Sequence, residues 1–303
     1  MSKKAEPIVI CHFSDLHLMP DQPVPALSLL NKRILGYANL RFNRGKTHKE
    51  AFLTRLIQTV AAEPADMTVV TGDFTSLALD FEFEKISRLM RLGGLTPQKT
   101  MVIPGNHDRY TMLADKQRAF ERCMAEWLPD GFARQPAYPI VERLGNVCLA
   151  GIDTAVWRGP VRAAGAVDDA ALRRLAAVFS SEEMRPLTKV LAIHHPPFHR
   201  GNHLLKDYRT GLEGYERLLR MLPSGTLVIH GHTHIASRTR FGDVDIIGVP
   251  SASNDTGNVR TQLAYNRYIF DADGTYTAEA VRFWPTEDGR DIRTERVTLP
   301  ADY

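Results

Sequence analysis

The stretch Ile8-Val9-Ile10-Cys11-His12-Phe13-Ser14-Asp15-Leu16-His17 reads as a short apolar strand that delivers two metal-binding side chains. The run from Ile8 to Phe13 is almost wholly apolar, as in a strand buried on both faces. Asp15 and His17 follow in the loop, two residues apart, so one extended segment can aim both at one point. The same arrangement recurs four times. Gly72-Asp73 follows Met67-Thr68-Val69-Val70-Thr71, and Gly105-Asn106-His107-Asp108 follows the strand from Thr100 to Ile103. His194-His195-Pro196 follows Lys189 to Ile193, and His230-Gly231-His232-Thr233-His234 follows Thr226 to Ile229.

The segments between these motifs carry a different period. Over 48–63, Phe52, Leu56, Ile57 and Val60 fall on one helical face. Over 81–92, Phe83, Ile86, Leu89 and Met90 do the same, with Gly93-Gly94 as the stop. Strand, loop and helix in alternation predict parallel strands with helical crossovers, an α/β fold whose ligand site lies outside the carboxyl ends of the strands. Further helices are predicted over 112–127, 168–179 and 212–222, and paired strands over 138–143 and 146–152. The tail changes character: strands are predicted over 244–249, 267–270 and 277–283, with no helix after Leu222. These tail strands are expected to form a second, mostly antiparallel sheet. The prediction is a single domain, 1–303, with two packed sheets and outer helices. Residues 31–49 would be a basic, partly apolar cap insert, and 240–303 a mostly β C-terminal part.

With 44% hydrophobic residues, the 303-residue chain can bury a sizeable core. A net charge of +3 gives no licence for nucleic-acid binding by itself. Three cysteines, Cys11, Cys123 and Cys148, widely spaced and odd in number, suit thiols in a reducing compartment. The polar start and the absence of any apolar run near the roughly 18 residues of a membrane span lead to the expectation of a cytoplasmic protein.

The motifs differ in how much each says. Asp-x-His alone is most often a polar turn, and Gly-Asp after a strand is an ordinary turn. Gly105-Asn106-His107-Asp108 is stronger: an asparagine oxygen ligates a hard cation without adding charge, and the next histidine can donate a proton or clamp a phosphate. Asp108 beside it can hold that imidazole protonated. In His194-His195 the side chains point apart, so at most one is a direct ligand. His232 and His234 alternate, and Gly231 keeps the approach open. Of 11 histidines, seven (His17, His107, His194, His195, His230, His232 and His234) fall within these motifs, which argues against chance placement. Oxygen and nitrogen donors without a thiolate suit hard or borderline divalent ions, not a structural zinc.

In this order, the five motifs resemble the calcineurin-like metallophosphoesterase superfamily over Ile8 to His234. Gly248-Val249-Pro250-Ser251-Ala252-Ser253 is similar to the closing strand region of bacterial members. The resemblance implies a four-layer α-β-β-α sandwich of two mixed sheets flanked by helices. It also implies two divalent metal ions, Mn2+ first, with iron or zinc as alternatives. Asp15, His17, Asp73 and His234 would hold one ion, and Asp73, Asn106, His194 and His232 the other, with Asp73 bridging. His107 would be the acid or transition-state clamp, oriented by Asp108; His195 matches no ligand position. The implied chemistry is in-line attack on phosphorus by a hydroxide activated on the metals.

Within the superfamily the chain is similar to bacterial class III cyclic-nucleotide phosphodiesterases. Its segment Leu30 to Leu40 resembles an insert of enzymes that cleave UDP-2,3-diacylglucosamine in lipid A synthesis. The expected partner is a small phosphodiester substrate, of the cyclic-nucleotide or nucleotide-sugar class, and no nucleic acid; a lipid substrate would add peripheral membrane contact. A phosphomonoesterase or protein phosphatase, and a non-catalytic scaffold, are the readings of another class. Arg44, His48, Tyr110, Arg118 and His203 are candidate substrate contacts.

Overall fold

The computed structural model describes residues 6–18, 24–25, 33, 50–159, 162–199, 204–287 and 291–300. Of the predicted insert it describes Arg33 alone, so the cap, and with it Arg44, His48 and His203, lies outside the described residues.

Two six-stranded mixed sheets carry the fold. In the first, β1 (Ile8–Phe13), β2 (Met67–Val70) and β3 (Thr100–Val102) run parallel, and β12 (Ala264–Phe270), β13 (Tyr276–Pro285) and β14 (Ile292–Thr298) extend it antiparallel from the β1 edge. In the second, β5 (Val147–Gly151), β7 (Thr188–Ala192), β9 (Leu227–His230) and β11 (Val244–Gly248) are parallel. Its antiparallel edges are β4 (Ile140–Leu144) and β10 (Ser237–Phe241). A two-stranded parallel piece joins β6 (Gly165–Ala166) to β8 (Leu212–Glu213).

Period-two alternation explains how the second sheet is sandwiched. Val147, Leu149, Val190, Ala192, Leu227 and Ile229 point into a core shared with the first sheet. Their neighbours Cys148, Ala150, Leu191, Ile193 and Val228 point the other way. There they meet Leu172, Leu175 and Phe179 of α5 (Asp169–Ser180) and Leu218 and Leu219 of α7 (Tyr215–Met221). The main core also takes in Phe52, Leu53, Leu56, Ile57 and Val60 of α1 (Glu50–Ala62) and Phe83, Ile86 and Met90 of α2 (Asp80–Leu92). The α/β sandwich expected from the sequence is the fold observed. All three cysteines are unpaired, with Cys11 and Cys148 buried and Cys123 half-buried.

Three local expectations need correction. The predicted helix over 112–127 is two short helices, α3 (Met112–Lys116) and α4 (Ala119–Cys123), and a 3-10 turn. Arg118 between them is left-handed (φ 48°), and the break turns the buried Phe120 onto Phe74, with ring centroids 5.6 Å apart. The predicted helix over 212–222 starts only at Tyr215, because Leu212 and Glu213 pair with β6 and Gly214 is left-handed (φ 72°). The preceding α6 (Leu204–Thr210) was not anticipated. Finally, the tail strands do not form a sheet of their own. β10 and β11 complete the second sheet, while β12 to β14 widen the first, because the β1 edge offers unpaired backbone groups that β12 satisfies.

Candidate metal centre

The carboxyl ends of parallel strands from both sheets meet at one place, and each ends in one of the five motifs. β1 delivers Asp15 and His17, β2 Asp73, β3 Asn106 and His107, β7 His194, and β9 His232 and His234. Backbone hydrogen bonds tie the loops together: Asp15 N–H to Gly72 O (3.0 Å), His17 N–H to Asp73 O (3.1 Å) and Gly231 N–H to His194 O (3.2 Å). The Ser251 hydroxyl donates to Asp15 O (2.7 Å) and Ala252 N–H to Ser14 O (2.9 Å), so the segment after β11 clamps the first loop.

The donor atoms form two groups that share a carboxylate. In one, His17 Nε2 and His234 Nε2 stand 3.1 Å apart, and Asp15 Oδ1 lies 3.1 Å from His234 Nε2 and 3.8 Å from His17 Nε2. In the other, His194 Nε2 lies 3.1 Å from Asn106 Oδ1 and 3.2 Å from His232 Nδ1. Asp73 Oδ2 sits between them, 3.6 Å from His17 Nε2 and 3.5 Å from His194 Nε2. The structure thus brings together all seven residues that the resemblance implied as ligands.

Each carboxylate spends one oxygen on the scaffold and turns the other to the site. Asp15 Oδ2 accepts His232 N–H (2.8 Å), and Asp73 Oδ1 accepts His107 N–H (2.7 Å). His194 Nδ1 donates to Thr71 O (2.6 Å), which turns Nε2 toward the other donors of the cluster. Five of the seven described non-glycine residues with positive φ are Asp15, His17, Asp73, His232 and His234. Left-handed backbone costs roughly 1–2 kcal/mol per residue, so this chain concentrates strain where its donors must converge.

The donor set fits divalent cations. Asp15 and Asp73 are buried, and among the described residues histidines are their only ion-pair partners. Asp15 Oδ1 is sealed from solvent with no hydrogen-bond donor in good geometry. Burial works to raise both carboxyls. His234 overcomes it at Asp15, which is held at about 2, and His194 and His107 overcome it at Asp73, which lies well below the usual range. Burial lowers His194, but Asp73 raises it further, to about 9, whereas burial and then His194 push His232 down to about 3. The Asp73 carboxylate that faces both donor groups thus also raises the proton affinity of His194.

His107 adjoins this cluster, with its ring centroid 4.8 Å from that of His17 and stacked on Tyr110 at 5.0 Å. Its Nδ1 donates to Ser76 O (2.8 Å). Asp108 lies otherwise than the sequence reading placed it. Its carboxylate accepts from Phe74 N–H (3.3 Å), Thr75 N–H and hydroxyl (3.0 Å each) and Gly105 N–H (2.9 Å). Asp108 thereby laces the β2 loop to the β3 loop. Burial and the charge of Asp73 raise Asp108 to about 7. Glu82, also buried, holds the β2 loop by accepting from Ser76, Leu77 and Leu79 N–H, and Arg33 donates to Leu77 O (2.7 Å) and Ala78 O (2.8 Å).

His195 is buried with Nδ1 2.8 Å from the Thr154 hydroxyl, so it braces the second sheet beside His194. Arg118 lines a separate cavity with Arg109, Glu121 and Asp153. Thr71 and Ser76 act through backbone carbonyls and left no mark in the sequence, whereas Ser251 lies in the stretch that resembles the closing strand region and here holds Asp15 O.

Residues 8–236 match the calcineurin-like phosphoesterase family. The chain belongs to this family. Its fold is similar to that of a purple acid phosphatase from yellow lupin (Lupinus luteus) seeds, at 11% identity and a TM-score of 0.60, over 97% of this chain and 54% of that one. It is also similar to a dimetal phosphatase from Danio rerio, at 12% identity and 0.58, over 98% and 100%. A third likeness is to GAP50, the anchor in the inner membrane complex of Plasmodium, at 12% identity and 0.51, over 98% and 90%. The chain spans about half the length of the lupin protein. No curated protein sequence matches it. The family is one of phosphoesterases, and the buried histidine and aspartate clusters are groups that could hold metal ions. No helix among the described residues is long and apolar enough to cross a membrane.

Proposed function

We propose that the chain is a dinuclear phosphodiesterase acting on a small phosphodiester of the cyclic-nucleotide or nucleotide-sugar class. The observation that carries this reading is Asp73 Oδ2, poised between two nitrogen-rich groups 3.5 and 3.6 Å away. Two divalent cations, manganese in this reading, would be held by Asp15, His17, Asp73 and His234 on one side and Asp73, Asn106, His194 and His232 on the other. When bound, they lower the pKa of water and neutralise phosphate oxygens. His107, fixed through Nδ1 by Ser76 O, presents Nε2 to stabilise charge on phosphorus or to protonate the leaving oxygen. The 360 Å³ cavity in front of Asp73 and Asn106, with His107, His199 and Lys206 among its described lining residues, leaves room for a small phosphodiester.

A cytoplasmic setting belongs to the same proposal, on the three unpaired cysteines. The test is a rate panel on manganese-loaded protein with a chelated control: bis-p-nitrophenyl phosphate, p-nitrophenyl phosphate, 3′,5′-cyclic AMP, 2′,3′-cyclic AMP and UDP-2,3-diacylglucosamine. Diesters are expected to turn over faster than p-nitrophenyl phosphate. A monoester preference would move the chain to the phosphomonoesterases, and no turnover with any metal would point to a scaffold.

A further inference from the structure

His12 stands in the middle of an apolar strand, between Cys11 and Phe13 of β1, and it is fully buried. A polar ring in such a place costs stability unless its nitrogens find partners. Both do. The Asn266 amide donates to the Tyr268 hydroxyl (3.1 Å), which lies 3.4 Å from His12 Nδ1, and His12 Nε2 lies 2.9 Å from Thr71 Oγ1. Asn266 is directly opposite His12 in the pairing of β1 with β12, so these side chains share one face of the first sheet. Burial, and then His230, push His12 down to about 3, so its ring is neutral and adds no charge beside the metal centre. The run of contacts ends at Thr71, the residue that holds His194. Thr71 N–H still pairs with Phe13 O (3.2 Å), but the next donor along that loop, Asp15 N–H, goes to Gly72 O (3.0 Å). The Thr71 carbonyl takes side-chain donors instead, the Ser14 hydroxyl (3.1 Å) and His194 Nδ1 (2.6 Å). Gly72, next in the chain, is left-handed (φ 94°). The peptide that carries this carbonyl thus sits at a turn, and its tilt depends on what grips Thr71.

We propose that His12 is a positioning residue for the metal centre: by gripping the Thr71 side chain it sets the direction of the Thr71 carbonyl, and through that carbonyl the orientation of the His194 ring. This rests on the reading of His194 as a ligand to the second ion. The link runs from β12 through β1 and the end of β2 to the end of β7, and so crosses from one sheet to the other. Partners that orient a ligand histidine are typically worth about 10–100-fold in metal affinity. Asp15 and His17 are tied instead to Gly72 O and Asp73 O, so the effect belongs to the His194 side.

The experiment measures manganese affinity by calorimetry in two backgrounds, each meant to keep a single ion. His17→Ala retains the His194 side, and His194→Ala retains the His17 side. Thr71→Val removes the hydroxyl that His12 grips and leaves the carbonyl and the side-chain volume. It is expected to weaken binding about tenfold in the His17→Ala background and less than about threefold in the other. His12→Leu should do the same, and adding it to Thr71→Val should weaken binding no further, because both cut one link. If His12→Leu does not fold, Thr71→Val carries the test. Equal weakening in both backgrounds, as a general loosening of the core would give, overturns the positioning role, and so does unchanged affinity in the His17→Ala background. If these backgrounds take up no manganese, the His194 Nδ1–H signal of the metal-free chain reads the same link by NMR. Hydrogen exchange there at least about tenfold faster in Thr71→Val than in wild type upholds the link, and equal exchange overturns it. Whether the wild-type chain itself binds manganese judges the metal reading separately.

Discussion

Gly231, just past β9, lies against Ser14 and Asp15, just past β1, and a methyl group there tests how tightly the two loops meet at the candidate metal centre. A Cβ on residue 231 would overlap the Ser14 hydroxyl and come within 2.6 Å of Ser14 Cβ and 2.5 Å of Asp15 Oδ2. None of these atoms is at the free end of a long side chain. The Ser14 hydroxyl donates to Thr71 O (3.1 Å), and Asp15 Oδ2 accepts His232 N–H. Overpacking costs about 1–3 kcal/mol, and losing the serine hydrogen bond about 1 kcal/mol. Gly231→Ala is therefore expected to lose about 2–4 kcal/mol. For 303 residues at about 2.1 cal/mol/K each, that lowers the melting temperature by about 3–6 °C. The displaced Asp15 also leaves the His17 and His234 side short of a ligand, so metal content should fall toward one ion per chain. Scanning calorimetry and elemental analysis read the two effects separately. Ser14→Gly in the Gly231→Ala background removes the clash with the serine but not with Asp15. It should recover more than half of the thermal loss relative to the Ser14→Gly single variant, with metal content still low. Wild-type melting and two ions in Gly231→Ala would refute the close approach on which this reasoning depends.

Other perturbations separate the parts of the site. His107→Ala should keep its metals, as judged by elemental analysis, and lose at least about 100-fold in turnover; normal turnover would remove the residue from the mechanism. Asp73→Asn should lose metal and activity together, since Oδ2 serves both groups; retention of two ions would show that the groups are independent. Glu82 is held at about 7, above an ordinary 4.5, by burial against the pull of its backbone donors. A folded-state pKa raised in this way means the native chain keeps a proton the unfolded chain gives up. Its contribution to stability is therefore lost as pH rises from about 4.5 to about 7, on the order of 3 kcal/mol. Glu82→Gln should flatten that part of the profile, measured by denaturant unfolding at pH 5 and pH 7.5; an unchanged slope would assign it to other groups.

Most of the site's composition was legible in the chain because each donor ends a strand, and strands announce themselves by short apolar runs with a polar stop. Asp15-Leu16-His17 and His232-Thr233-His234 also state their own geometry, since alternate residues share a side. The helix breaks at Arg118 and Gly214 were not legible in that way. Their cause is distant, the burial of Phe120 against Phe74 and the pairing of Leu212 with β6, and local propensity does not report it. The role of Asp108 was missed for a related reason. A carboxylate next to a histidine in sequence suggests a partner for that histidine, whereas the fold turns it onto the backbone of the β2 loop.

The sequence by itself determined the fold class, the strand ends and the kinds of donor, because periodicity and residue chemistry are local properties. Only the tertiary structure decided that the β1 edge recruits the tail strands and that Ser76 O rather than Asp108 fixes His107. It also decided that His199 and Lys206 face the same cavity as Asp73. Each of these depends on which backbone groups remain unsatisfied once two sheets have packed, and that is a property of the whole chain rather than of any stretch of it.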